Sequence, residues 1–209
     1  MKPWLLDILA CPLDKFYPLK LYIFNFDTKI EEFNDLLETY EKRDIEQIKN
    51  SDIFEITKKD NDILIRDNIS IEYNSLTNYI NLILSSIKEL ENIIDNSNNQ
   101  MSIKCLNLIL SDVREKIQTF AENANMENIN EILPELFLLN KFKVGTEIES
   151  GVLFCENCNR WYPIMETIPM LLSDEFRDEQ KEKQFLSQAI EKNLLDDKFL
   201  KQDIKPYNI

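Results

Sequence analysis

Cys155 and Cys158 stand at C-x-x-C spacing in Phe154-Cys155-Glu156-Asn157-Cys158-Asn159-Arg160-Trp161. Two thiols so placed can grip one metal ion from a single tight turn, and such a knuckle normally closes on a second pair of ligands elsewhere in the chain. A matching spacing occurs near the other end, in Cys11-Pro12-Leu13-Asp14, with a carboxylate in the last place. Zinc accepts thiolate and carboxylate oxygen, so the predicted Zn2+ ligands are Cys11, Cys155 and Cys158, with Asp14 or water completing a tetrahedron. Cys105 lies alone in Lys104-Cys105-Leu106-Asn107-Leu108 and reads as a small core residue. A redox role for Cys155 and Cys158 calls for a C-x-x-C that opens a helix beside a βαβ unit, and no such pattern is visible.

Other chemistry is excluded by what the chain lacks. It has no histidine, which removes the commonest general base at neutral pH. Its two glycines, Gly145 and Gly151, cannot build a phosphate-cradling loop or a dinucleotide fingerprint. Catalysis by this chain alone is not expected. The formal charge of −14 opposes nucleic-acid binding, which depends on neutralising phosphates with Lys and Arg. A zinc-ribbon nucleic-acid binder would share the knuckle but needs a basic patch. Four cysteines in 209 residues are too sparse for a disulfide scaffold. No apolar run approaches a membrane span, and Met1-Lys2-Pro3-Trp4 does not open a secretory signal, so a cytoplasmic protein without a membrane partner is expected.

If both knuckles meet at one site, the elements between them form an insertion. The spacing of Trp4, Leu5, Ile8 and Leu9 predicts a short helix over Lys2–Leu9, and Phe16 to Phe26 alternates like a strand. Ile30, Phe33, Leu37 and Tyr40 share one helical face, while Ile53–Ile56 and Ile63–Ile65, separated by Lys58–Asp62, predict a hairpin. Leu76 to Ile94 and Ile103 to Phe120 carry four-three apolar repeats around the turn Asp95–Asn99, predicting an antiparallel helical pair. A further helix over Asn128–Leu139 contains Pro134, which kinks or restarts it. From Phe142 the period returns to that of strands, at Phe142–Val144 and Glu147–Glu149 and then Gly151–Phe154, with a turn at Ser150-Gly151. Ser173 caps a predicted helix, and the charged tail beyond reads as a solvated helix or a docking arm. The expected fold class is α+β: a small zinc-ribbon-like sheet domain from both chain ends (1–27 and 143–175), a mostly helical insertion (28–142) and a charged helical tail (176–209).

Three motifs carry a family resemblance. Leu5-Leu6-Asp7-Ile8-Leu9-Ala10-Cys11-Pro12, the far C-x-x-C with Trp161-Tyr162-Pro163-Ile164, and Ile168-Pro169-Met170-Leu171-Leu172 together resemble the multifunctional methyltransferase subunit family. These are small zinc-ribbon activators of tRNA, rRNA and release-factor methyltransferases. The resemblance implies a non-catalytic subunit that forms a heterodimer with a class I (Rossmann-like) methyltransferase, which binds S-adenosylmethionine itself and alone meets the nucleic acid. It also implies partner-binding residues at Trp161, Tyr162, Ile164, Ile168, Pro169, Met170, Leu171 and Leu172, where an edge strand adds to the enzyme's sheet. Strand addition suits such residues, since main-chain hydrogen bonds bind and side chains select. The sequence departs from the family at Asp14, where many members have cysteine, and at Thr167, where many have the glycine that a positive-φ turn favours.

Overall fold

The computed structural model describes residues 1–59, 62–122, 128–201 and 203–207. Among them run strands β1 (Lys20–Phe26), β2 (Glu55–Lys59), β3 (Asp62–Arg66), β4 (Asn74–Ser75), β5 (Ile93–Asp95), β6 (Ile148–Cys155), β7 (Arg160–Met165) and β8 (Ile168–Pro169). The α-helices are α1 (Ile30–Lys42), α2 (Ile45–Lys49), α3 (Leu76–Leu90), α4 (Gln100–Leu108), α5 (Arg114–Glu122), α6 (Leu133–Asn140), α7 (Glu179–Glu191) and α8 (Asp197–Leu200). The architecture is α+β, in two compact units: Met1–Thr28 with Asn92–Asn99 and Glu147–Ile209, and Lys29–Glu91 with Gln100–Thr146.

The first unit is built on a five-stranded sheet of order β5-β1-β6-β7-β8. β1, β6, β7 and β8 pair antiparallel, and β5 lies parallel to β1. Both faces are apolar. Leu21, Ile23, Leu153, Tyr162 and Ile164 lie on one, all buried, and Tyr22, Phe24, Val152, Phe154 and Trp161 alternate with them on the other. That second face is covered by the C-terminal segment: Leu186 and Ala189 of α7 with Leu195, Phe199 and Ile204 form one cluster with it. The Phe199 ring meets Tyr22 and Phe154 edge-on at 5.4 and 5.1 Å. A helix read as solvated or as a docking arm therefore closes a core. Its apolar residues are spread over two helices and a loop, so no single period announces them.

In the second unit, α6 is buried at every residue, including Glu135, whose carboxylate meets Arg43 at 2.7 Å and Lys116 at 3.0 Å. Pro134 restarts the chain there: a 3-10 turn over Ile129–Ile132 gives way to α6 with proline in its first turn. The helix α4 runs through a π-helical turn, Ile109–Val113, into α5. The predicted hairpin is β2 and β3; Asp60 and Asn61 of its expected turn lie outside the described residues.

Several elements differ from the sequence reading. The opening helix is a single 3-10 turn, Pro3–Asp7. The first strand begins at Lys20 rather than Phe16, because the residues before it bend around the first knuckle. The predicted helix ending at Ile94 stops at Leu90, and Ile93–Asp95 joins the edge of β1, where β-branched residues suit a pleated surface. Phe142–Val144 lies in a π-helical turn that prolongs α6. Ser150-Gly151 is no turn but the middle of β6, beside irregular register with β1. The helix expected from Ser173 is a 3-10 turn, Asp174–Phe176, and α7 begins only after Asp178 caps Lys181 N–H.

Two substitutions test this reading. A Cβ at Gly151 would collide with the backbone carbonyl oxygen of Tyr22 in the central β1–β6 pair. Gly151→Ala is expected to destabilise the chain by about 2–4 kcal/mol, read as a fall in chemical-denaturation midpoint at unchanged m-value. The β7–β8 loop places Glu166 and Thr167 at φ 50° and 66°. A β-branched residue is strained there, so Thr167→Gly should raise stability by about 1 kcal/mol in the same assay.

Candidate metal centre and docking edge

The two knuckles are built alike. In the first, Cys11 N–H donates to Phe16 O, Lys15 N–H donates to Cys11 O, and Lys15 takes φ 61° to let the chain reverse after Asp14. In the second, Cys155 pairs with Arg160 across the β6–β7 turn, and Asn159 takes φ 57° directly after Cys158. In each, the positive-φ residue is the fourth after the leading cysteine, leaving the two ligand side chains on the inside of the bend.

These turns bring Cys11, Asp14, Cys155 and Cys158 together, with one ligand atom from each lying within 4.8 Å of the others. Cys11 Sγ is 3.6 Å from Cys158 Sγ, and Cys155 Sγ is 3.6 Å from both Asp14 carboxylate oxygens. A tetrahedron with zinc–sulfur bonds of about 2.3 Å has edges of about 3.8 Å, so the donor set fits a zinc ion in size as well as chemistry. Asp14 is oriented by two donors: Asn157 Nδ2 at 2.8 Å and Phe16 N–H at 3.0 Å. These bonds hold its carboxyl well below the usual carboxylate range, so its oxygens are ready to ligate. Tyr162 OH lies 3.2 Å from Cys11 Sγ and backs the site from the sheet. Burial pushes the Cys155 thiol up to about 12 and raises Cys158 as well, whereas reactive C-x-x-C thiols are lowered. Asn157 and the Tyr162 hydroxyl were not assigned to the metal site from sequence, although Asn157 sits inside the knuckle itself.

The eight predicted partner-binding residues divide by burial. Trp161, Tyr162 and Ile164 are core residues of β7. Ile168, 59% exposed, and Leu172 stand at the surface, with Pro169, Met170 and Leu171 half-buried. The exposed side chain of Leu13 and that of Leu172 line one cleft of about 260 Å³ with Pro12 and Tyr162, rimmed by the Arg160–Asp174 ion pair. No helix among the described residues is long and apolar enough to cross a membrane.

A family model described as Trm112p-like protein matches residues 2–166. The chain belongs to the Trm112p-like family. Its members are small activator subunits of methyltransferases, and the family supports a methyltransferase-activator role in general for this chain. The matched span includes both knuckles and β1 to β7 and stops before β8 and the C-terminal segment. Neither the curated proteins nor the solved structures yield a match.

The geometry predicts that Asp14 matters to metal retention through its carboxylate. Protein produced with zinc supplied should contain about one zinc per chain by elemental analysis. Asp14→Ala should lose it faster to a chelator than the parent, and Asp14→Cys, completing four thiolates, should lose it more slowly.

Proposed function

We propose that this chain stabilises and shapes a class I, Rossmann-like methyltransferase acting on tRNA, rRNA or a release factor, in a heterodimer joined by strand addition at β8. The partner binds S-adenosylmethionine and performs the methyl transfer. Nucleic acid reaches the pair through the partner, in keeping with the charge of −14 on this chain. A cytoplasmic location accompanies such substrates.

The observation that carries the reading is the edge itself. β8 is the last strand of the sheet, carries the exposed Ile168, and is followed by Met170, Leu171 and Leu172, apolar residues that are not fully buried. An apolar edge strand left open invites pairing with another chain. Within the predicted set, Ile168, Pro169, Met170, Leu171 and Leu172 make the direct contact. Trp161, Tyr162 and Ile164 act from behind, by holding β7 rigid. Zn2+ bound by Cys11, Asp14, Cys155 and Cys158 supplies a structural crosslink next to that edge, and no step of the methyl transfer runs through it.

The test is Met170→Asp, which places a charge in a contact that docking would desolvate, at a cost of about 2–5 kcal/mol in binding. Coexpressed with a copurifying methyltransferase, the variant should give little complex and little methyl transfer, while alone it keeps the parent's circular dichroism and melting point. A complex of full yield and activity would overturn strand docking at β8. A variant that unfolds alone would assign Met170 to the core.

A further inference from the structure

The edge of β7 is shared by two segments of the same chain, and the hydrogen bonds show where one yields to the other. β8 pairs antiparallel with β7 in the register Ile164↔Pro169 and Met165↔Ile168, and Met170 N–H continues the ladder by donating to Pro163 O at 2.8 Å. In that register the next hydrogen-bonded pair would be Trp161 with Leu172. Neither N–H makes it. Leu172 N–H turns back to Met170 O at 3.0 Å, which steers the chain off the sheet, and Arg160 holds the diverted segment through Asp174. Trp161 N–H donates instead to Lys205 O at 3.1 Å, and Lys205 N–H donates to Asn159 O at 2.8 Å, a parallel bridge from the C-terminal segment.

This leaves β8 two residues long. Because Met170 faces β7, the backbone of Pro169 and Leu171 faces outward, and Pro169 has no N–H to give. So short an edge is a poor template, since strands in sheets commonly run to about five or six residues.

We propose that Lys205 and its neighbours occupy the second half of the docking edge, and that the methyltransferase strand binds a longer form in which Leu171–Ser173 replaces them along Arg160–Tyr162. The inference rests on the strand-addition reading above. In the long form Trp161 exchanges Lys205 for Leu172, so β7 keeps its hydrogen bonds, and Leu171 and Ser173 add outward-facing N–H and C=O groups for an extended peptide. The occupying segment, 203–207, like β8 itself, lies beyond the span matched by the family model. Its hold on the β7 edge is two backbone bonds at Lys205 and a bond from Trp161 Nε1 to Tyr207 O at 3.4 Å, while Ile204 and the Tyr207 ring anchor the same segment to the core behind the sheet, so the exchange frees the edge backbone of Lys205.

The exchange is testable without the partner. A chain ending at Leu200 lacks the competing strand and, with it, Ile204 of the core, but keeps Leu186, Ala189, Leu195 and Phe199. By hydrogen–deuterium exchange, the Leu172 amide should exchange about tenfold more slowly in the truncated chain than in the full one, with Trp161 protected in both. Loss of protection at Trp161 with no gain at Leu172 would overturn the proposal. If truncation unfolds the chain, Lys205→Pro, which removes the N–H donated to Asn159 and leaves the carbonyl that Trp161 uses, should weaken the bridge and slow the Leu172 amide by a smaller factor with Trp161 still protected, and no change at Leu172 would overturn the proposal. With a coexpressed methyltransferase, the truncated chain should bind about tenfold tighter than the full chain. Equal or weaker binding by a folded truncated chain would refute the competition while leaving strand docking intact. Full complex formation by Met170→Asp would refute docking instead.

Discussion

Everything in the first unit depends on closing the chain on itself over a very long distance. Cys11 and Cys158 are 147 residues apart in sequence and 3.6 Å apart in space. The closure is carried by β1 against β6, in the middle of the sheet, and by the four-ligand cluster at its end. Loop-closure entropy rises only with the logarithm of loop length, by about 0.6 kcal/mol per doubling. A ribbon already closed by a hairpin-like pair and the meeting of the two knuckles can therefore accept a large folded insertion at little further cost. That is why a second unit with its own buried helix and its paired buried carboxylate, Glu135, can interrupt a small sheet.

The cluster also explains the tolerance of Asp14. A carboxylate side chain is longer than a thiol from Cα to donor atom and has two oxygens to position, so it needs external orientation. Asn157 supplies it from the opposite knuckle, together with the Phe16 amide from its own. The substitution of oxygen for sulfur is thus matched by hydrogen bonds that a thiolate would not need. Hydrogen-bond donors of this kind orient a carboxylate and set how readily it gives up its proton.

Legibility in the sequence followed the range of the interaction. The knuckles were readable because ligand spacing is local, and their meeting followed from the requirement for four donors. Phe33, Leu37 and Tyr40 of α1, and Ile80, Ile83 and Ile87 of α3, were readable because 3.6-residue periodicity is local too. Ile93 and Ile94 satisfy a helical period and a strand equally well, and the free edge of β1 decided between them. Gly151 looked like a turn because turns and close backbone approaches both select glycine. The bridge at Lys205 has no side-chain signal: a lysine before a proline binds through its backbone, and only the positions of Asn159 and Trp161 make it meaningful.

The chain passes between its two units four times, at 28/29, 91/92, 99/100 and 146/147. Synthesis from the N-terminus therefore completes them in a fixed order. All of the second unit has been made by Thr146, before β6 and β7 exist. The earlier unit of the chain is the later one to fold: Cys11 and Asp14 emerge first and wait for Cys155 and Cys158. During that interval β1, with its apolar residues on both faces, has no antiparallel neighbour. A nascent chain in this state exposes the strand most prone to wrong pairing, so the period before β6 emerges is when this protein most needs a chaperone or early folding of the insertion to hold the two ends near each other.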